Sequence, residues 1–243
     1  MKPSNFEDNW RRRFTERGQL FDDDAAIAGW TDAGLNARLR NFARVWPGDR
    51  PGARWLDAGC GAGSYTRFLH ARGMRVYGID YSLPSVRKAR ARAAAELRWL
   101  VADVRRLPVH AAVADGVLCF GVMQALTAPE AALAELLRAT RSGGQIWLDA
   151  LNGYFLPTLF KRLLARWRGE TLPLRYDHAV RLTRMLRELG AQEIRLYWVP
   201  ILPAHWRRAQ TLVETAAVRA IFQRVPFLAM WVSHAFVLSA RRL

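Results

Sequence analysis

Three features of the sequence predict an α/β fold built on a doubly wound parallel sheet. From Arg54 to Ala150, short apolar runs alternate with amphipathic stretches, the strand, helix, strand pattern that lays strands side by side in parallel. A glycine-dense turn follows the first of these runs, and further glycines stand where helices should end. The 243 residues, 51% of them hydrophobic, supply a core for one generous domain with insertions.

Residues 1–50 carry no strand pattern and are expected to form a helical N-terminal cap. Leu35, Leu39, Phe42 and Trp46 recur at helical spacing after Thr31, a residue suited to the N-cap. Pro47, Gly48, Pro51 and Gly52 separate this cap from a core over 51–150. Within the core, strands are expected at 55–58, 74–79, 97–102, 115–120 and 145–150, and helices at 65–71, 84–95 and 129–140. Gly73 and the pair Gly143-Gly144 are placed as the residues just past helix ends. The segment 151–243 adds a basic amphipathic stretch at 155–168, helices at about 177–189 and 205–224, and strands at about 193–199 and 230–239. The apolar run 226–240 is interrupted by Ser233 and His234 and falls short of the roughly 20 residues a bilayer span needs, so it reads as a late strand. All three segments are read as one domain, 1–243.

The formal charge of +16 comes from 37 basic and 21 acidic residues, and apart from Lys2, Lys88 and Lys161 every basic residue is an arginine. Such an excess concentrates anions near the surface, whether nucleic acid, anionic lipid or phosphorylated substrate, without specifying a fold. Cys60 and Cys119 are too few for a disulfide framework, and no N-terminal apolar stretch resembles a signal peptide. A reducing cytoplasmic setting is expected, in reach of the inner face of the membrane.

The turn that carries most information is Leu56-Asp57-Ala58-Gly59-Cys60-Gly61-Ala62-Gly63-Ser64, between an apolar strand and an amphipathic helix. Glycine lets the backbone approach a ligand closely, and a nucleotide-bearing cofactor is the natural occupant. The dinucleotide pattern G-x-G-x-x-G/A fails at Ser64. The spacing is instead G-x-G-x-G with Asp57 two positions before the first glycine, where a carboxylate suits the ammonium of an amino-acid moiety. The next strand ends in Gly78-Ile79-Asp80 and the third in Ala102-Asp103-Val104. A carboxylate at the first of these ends suits two ribose hydroxyls, and one at the second suits an exocyclic adenine amine.

On these motifs the chain resembles the class I S-adenosylmethionine-dependent methyltransferases, within the group that includes ubiquinone- and menaquinone-biosynthesis enzymes. The resemblance covers roughly residues 50–150. It implies a Rossmann-like sheet of seven strands with the last, 230–239, antiparallel, and S-adenosylmethionine as cofactor. It further implies that Gly59, Gly61 and Gly63 cradle the methionine end, that Asp80 binds the ribose and that Asp103 binds the adenine. Asp57, Tyr81, Val104 and Phe120 complete the expected cofactor contacts.

The acceptor is less legible. The stretch after the fourth strand, Cys119-Phe120-Gly121-Val122-Met123-Gln124-Ala125, lacks the Asn/Asp-Pro-Pro-aromatic segment of amino-methylating relatives, and Ala125 stands where many relatives of the quinone group carry histidine. His178 and His205 are the remaining candidates for a base. No metal constellation is apparent and both cysteines read as packed residues. Leu156, Leu159, Phe160, Leu163 and Trp167 form an apolar stripe among Lys161, Arg162, Arg166 and Arg168. That stripe is read first as a lid over the crevice and second as a membrane-surface helix. Trp10, Trp30, Trp167, Trp198, Trp206 and Trp231 suggest an apolar or aromatic acceptor pocket. The leading expectation is O-methylation of a small apolar, aromatic or lipid-linked acceptor. An RNA methyltransferase and a noncatalytic interaction protein of the same fold are the alternatives, with nucleic acid disfavoured because no RNA-binding module is recognisable.

Overall fold

The computed structural model describes residues 3–170, 174–202 and 207–243. Three helices come first: α1 (Pro3–Leu20), α2 (Asp24–Ala28) and α3 (Asp32–Val45). Thr31 caps α3 as expected, its hydroxyl accepting from the Gly34 amide at 3.1 Å. The alternating core follows as β1 (Arg54–Ala58), α4 (Ser64–His70), β2 (Arg75–Asp80), α5 (Leu83–Ala91), β3 (Arg98–Val101), β4 (Ala114–Cys119), α6 (Glu130–Ala139) and β5 (Thr140–Leu151). Then come α7 (Leu156–Trp167), α8 (Ala179–Glu188), β6 (Ala191–Val199), α9 (Arg207–Val213), α10 (Ala216–Arg224), α11 (Pro226–Val232) and β7 (Ala235–Arg242).

The strands form one seven-stranded sheet in the order β3-β2-β1-β4-β5-β7-β6. The first five run parallel, and β7 lies antiparallel between β5 and β6. Strand order reverses between β1 and β4, so the crevice at their carboxyl ends is the place where an open α/β sheet binds ligands. Both faces are covered, and successive residues alternate between two cores. Leu56, Val117, Ile146 and Leu148 join a cluster with Leu133 and Leu136 of α6 and Leu182 and Leu186 of α8. Trp55, Leu118 and Trp147 face the other way, toward α3 and α4. That second face is aromatic: Phe42, fully buried, has ring centroids of Phe120 and Trp147 at 5.3 Å each and of Trp46 at 5.7 Å.

Three sequence expectations need correction. The late apolar run splits, because Pro226 takes an early helical position and starts α11, and β7 begins only at Ala235. The side-chain amide of Asn152 then grips the carbonyls of Met230 and Ser233 at 2.6 and 2.8 Å. The expected helix 205–224 breaks where Thr215 caps α10 with its hydroxyl. Gly143 and Gly144 do not end a helix. They lie inside β5, where a side chain at Gly144 would come within 2.9 Å of the Arg141 and Asp115 carbonyls.

Candidate active site

The loop after β1 is fastened to the end of β2. Gly59 and Cys60 donate their amides to the Ile79 carbonyl at 2.7 and 3.0 Å, and the Gly61 amide donates to Asp80 Oδ2 at 2.8 Å. The other Asp80 oxygen accepts from the Ser82 amide, also at 2.8 Å, and burial raises the Asp80 pKa. Glycine is required at two points. Gly59 has φ of +86°, and a Cβ there would sit 2.1 Å from Val122 Cγ2; Gly63 has φ of +84°, with Trp99 Cη2 2.5 Å from the same atom. The space a side chain would need at these two positions is taken by Val122 and Trp99.

Above this loop lies a cleft lined by Gly59, Gly61, Asp80, Tyr81, Asp103, Val104 and Phe120, which brings together seven of the nine residues the sequence proposed for the cofactor. Gly63 and Asp57 are not in its wall. Asp57 lies behind the loop, 1% exposed, accepting from the Thr66 hydroxyl at 2.6 Å. Burial outweighs that bond and pushes its pKa up to about 7. Asp103 is in the wall, but Arg105 Nη2 holds its carboxylate at 2.7 Å and Arg11 of α1 is also bonded to it.

The far wall of the cleft comes from the N-terminal helices, which the sequence showed as helical without showing what they do. Glu7, Trp10, Arg11 and Phe14 of α1 line it, with Asp24 and Ile27 of α2 and then Trp30. Glu7 ties α1 to the strand tips, pairing with Arg105 and accepting from the Thr127 amide at 2.8 Å. The lid is therefore α1 and α2. The expected lid at 155–168 contributes nothing to the cleft wall. Instead α7 turns Thr158 and Ala165 inward and leaves Leu159, Phe160, Leu163 and Trp167 exposed, the last by 83%.

A second cavity shares Trp10, Phe14, Ala28 and Trp30 with the cleft and continues toward the ends of β5 and β6. Arg38, Gln124, Leu151, Ile201 and His234 are in its wall. Counting their open mouths, the cleft and this cavity enclose about 1000 and 960 Å³. Arg38 is only 7% exposed, stacks on the Trp30 face at 4.4 Å, and has Nε 3.6 Å from Asp149 Oδ2, beyond hydrogen-bonding distance. Asp149 is itself held by the Gly121 amide at 2.6 Å. Sequence reasoning missed Arg38, although a signal was present: it lies on the apolar stripe of α3, between Leu35 and Phe42.

Of the two candidate histidines, only His178 lies among the described residues. His178 caps α8 and packs on Tyr154 with ring centroids 4.4 Å apart, outside both cavities, and burial lowers its pKa. His205 lies outside the described residues. His234, which the sequence gave little reason to choose, is the only imidazole among the described residues lining the two cavities. Burial first, then Arg38 and Lys161, lower its pKa to about 4, so it is neutral at physiological pH. Ala125 lines the cleft. Burial pushes the Cys60 and Cys119 thiols well up. Of the tryptophans, Trp10 and Trp30 line the cavities, Trp198 packs on Phe236 in the core, Trp167 and Trp231 are exposed, and Trp206 lies outside the described residues.

Comparisons with known proteins agree with this geometry. A family profile described as a methyltransferase domain matches residues 56–148. The chain is 32% identical over 198 residues to a malonyl-[acyl-carrier protein] O-methyltransferase of Serratia marcescens, covering 70% of this chain and 74% of that one. It is 31% identical over 172 residues to a demethylmenaquinone methyltransferase of Beutenbergia cavernae, covering 60% of this chain and 71% of that one. In fold it matches a phosphoethanolamine N-methyltransferase 2 of Haemonchus contortus, solved with S-adenosylhomocysteine, at a TM-score of 0.68 and 18% identity, over 96% of this chain and 60% of that one. The chain belongs to the class I S-adenosylmethionine-dependent methyltransferases, and S-adenosylmethionine is its cofactor.

Proposed function

We propose that the enzyme methylates a carboxylate oxygen of a small acceptor with an apolar body. The cofactor fits the cleft: over Gly61, at φ of +51°, no atom lies within 4 Å of where a Cβ would be, so backbone can approach it, and Asp80 stands in the same wall. We assign Gly59, Gly61, Asp80, Tyr81, Asp103, Val104 and Phe120 as its contacts, with Gly63 and Asp57 supporting the loop from behind. When bound, the cofactor supplies an electrophilic methyl group on a sulfonium. The protein then needs to hold an oxygen nucleophile in line with it in a dry pocket.

The observation that carries the proposal is the state of His234. Its pKa near 4 makes it a poor acceptor of a hydroxyl proton at neutral pH. A carboxylate arrives already ionised and needs no base. The malonyl group in the name of the Serratia relative carries such a carboxylate, which supports the same reading. Transfer from labelled cofactor into a host extract should give organic-soluble label that mild alkali converts to volatile methanol, as a methyl ester requires. Alkali-stable label would overturn the carboxylate reading while leaving a methyltransferase. Asp80→Ala should abolish incorporation.

We further propose that α7 rests on an anionic lipid surface. The side chains that a lid would bury, Phe160, Leu163 and Trp167, are exposed, and Lys161, Arg162, Arg166 and Arg168 surround them. Phe227 and Trp231 of α11 are exposed as well. Among the described residues no helix is long and apolar enough to cross a membrane, so the association would be peripheral. Vesicles containing phosphatidylglycerol should sediment the protein and those of phosphatidylcholine alone should not. Equal retention of a Phe160→Ser/Trp167→Ser variant would refute a role for α7.

A further inference from the structure

A third cavity, an open groove, is lined by α7 and by the stretch that precedes α8. Leu159, Leu163 and Ala165 of α7 are in its wall, and so are Leu174 and Tyr176. Arg162 and Arg166 line it too, with Glu170 the one acid in its wall among the described residues. Counting its mouth, the groove encloses about 1130 Å³. The packing of α7 leaves its apolar side chains in water: Leu159 and Leu163 are 38% and 67% exposed. Apolar side chains gathered in this way mark a surface that something else covers.

The groove adjoins the second cavity, and Leu174 is in the wall of both. The stretch that carries Leu174 is bonded to the frame of that cavity. Arg175 donates its amide to the Gln124 carbonyl at 3.3 Å and Asp177 donates to the Leu151 carbonyl at 2.8 Å, and both Gln124 and Leu151 line the cavity. The Arg175 guanidinium adds bonds to the Leu126 and Thr127 carbonyls at 3.1 and 3.2 Å. The start of α7 meets the same cavity, where Phe155 sets its ring edge-on against His234 with centroids 5.5 Å apart. The second cavity in turn shares Trp10, Phe14, Ala28 and Trp30 with the cofactor cleft. Cleft, second cavity and groove therefore follow one another from the glycine loop to the surface of α7.

We propose that the groove holds the far end of the acceptor's alkyl chain, so that the acceptor is a long-chain anionic amphiphile; this rests on the reading above of a carboxylate with an apolar body. Its reacting end lies toward the cofactor cleft. Its middle fills the second cavity, where Phe14, Leu151, Leu174 and Ile201 supply apolar wall, and its tail passes Leu174 into the groove. Passage needs only a different rotamer of Leu174, a half-buried residue outside helix and strand. The order of the cavities also gives a direction of entry. The groove opens at α7, where Arg162 and Arg166 stand among exposed apolar side chains, and an anionic amphiphile gathers at such a surface. Each methylene taken from water tightens binding about fourfold, so the enzyme selects its acceptor by chain length.

The test uses binding, so that its failure is separable from failure of the methylation assay. Octanoate and tetradecanoate, which differ only in chain length, are titrated by calorimetry into the full chain saturated with S-adenosylhomocysteine, without vesicles. The wild type should bind tetradecanoate more tightly by about a hundredfold or more. Leu159→Asp/Leu163→Asp changes exposed positions that line the groove alone, so it should fold normally, bind octanoate as the wild type does and weaken tetradecanoate by about tenfold or more. Leu174→Trp, which fills the junction, should weaken tetradecanoate likewise. Phe160→Ser/Trp167→Ser removes exposed side chains that are not in the groove wall, and it should keep the preference for the longer chain. Equal binding of the two acids by the wild type would overturn the proposal, as would undiminished tetradecanoate binding by Leu159→Asp/Leu163→Asp. Loss of the preference in Phe160→Ser/Trp167→Ser would also overturn it, by showing adsorption to the outer stripe. A preference that follows the groove variants, with methyl label that resists alkali, would retain the groove and remove only the carboxylate reading.

Discussion

The two ends of the crevice are built on different plans. At the end we assign to the cofactor, backbone amides and strand-end carboxylates from consecutive β-loop units are mutually bonded: Gly61 to Asp80, Ser82 to Asp80, Arg105 to Asp103. At the other end, the wall is drawn from α1, α3, the turn after β4, and the termini of β5, β6 and β7, and it contains Arg38, whose buried counterion is Asp149. Local chain geometry suffices for the first. The second exists only when distant segments have docked, and it can change without disturbing the first.

The sharpest way to break this comparison is to put a side chain into the backbone-made end. Gly59→Val meets both a positive φ and the Val122 side chain, with backbone strain alone worth about 1–3 kcal/mol. We expect cofactor binding by calorimetry to fall by more than a hundredfold, whereas Gly48→Ala, at φ of +83° with no atom within 4 Å of the added carbon, should bind normally. Affinity within twofold of wild type for Gly59→Val would show that close backbone approach is not what makes this end.

A smaller effect concerns the support behind the loop. Burial raises the Asp57 pKa from 3.8 to about 7, so ionising it in the folded state is unfavourable. Stability is fully present below the unfolded pKa and is lost as pH rises through about 7. Asp57→Asn keeps an acceptor for Thr66 and removes the charge, so it should raise the unfolding free energy by up to about 4 kcal/mol at pH 8, seen as a higher melting temperature, with the gap closing near pH 4. A gap independent of pH would show that Asp57 does not titrate in this range.

The smallest effect lies on the acceptor side. Glu214 of the turn after α9 accepts from Arg40 at 2.7 and 2.9 Å and from Arg44 at 3.1 Å, clamping that region to the helix that carries Arg38. Burial pushes its pKa up, but the bonds from Arg40, Gln210 and Arg44 prevail and hold it at about 2. Its contribution is present above the unfolded value of 4.5 and is lost as pH falls through about 2. Glu214→Gln should cost about 1 kcal/mol at pH 7 after solvent screening, read by urea denaturation, and nothing near pH 2.

The same division explains what the sequence disclosed. The sheet, its strand order and the Gly59 to Gly63 turn follow from patterns a few residues long, in which apolar period, glycine and strand-end aspartate coincide. The sequence does not tell that Asp57 is buried behind the loop, because adjacency says nothing about which side of it a carboxylate faces. The helix at 155–168 was taken for a lid because its stripe matches a buried one, and only tertiary packing shows that Thr158 and Ala165 are the side turned inward. The run 226–240 hid a boundary at Ser233, since apolar content alone does not separate a short helix from a strand. Arg38 of α3 and Asp149 of β5 pair through a fold that no spacing rule encodes.

The position of β7 bears on how the chain is made. It lies inside the sheet, hydrogen-bonded to β5 on one side and β6 on the other, yet it is synthesised after α9, α10 and α11. Until Ala235–Arg242 leaves the ribosome, β6 has no partner strand and β5 has an open edge. A stalled or truncated chain would offer both edges to other molecules, the condition that templates strand aggregation. Closure of both edges therefore depends on one eight-residue strand, far in sequence from the glycine loop.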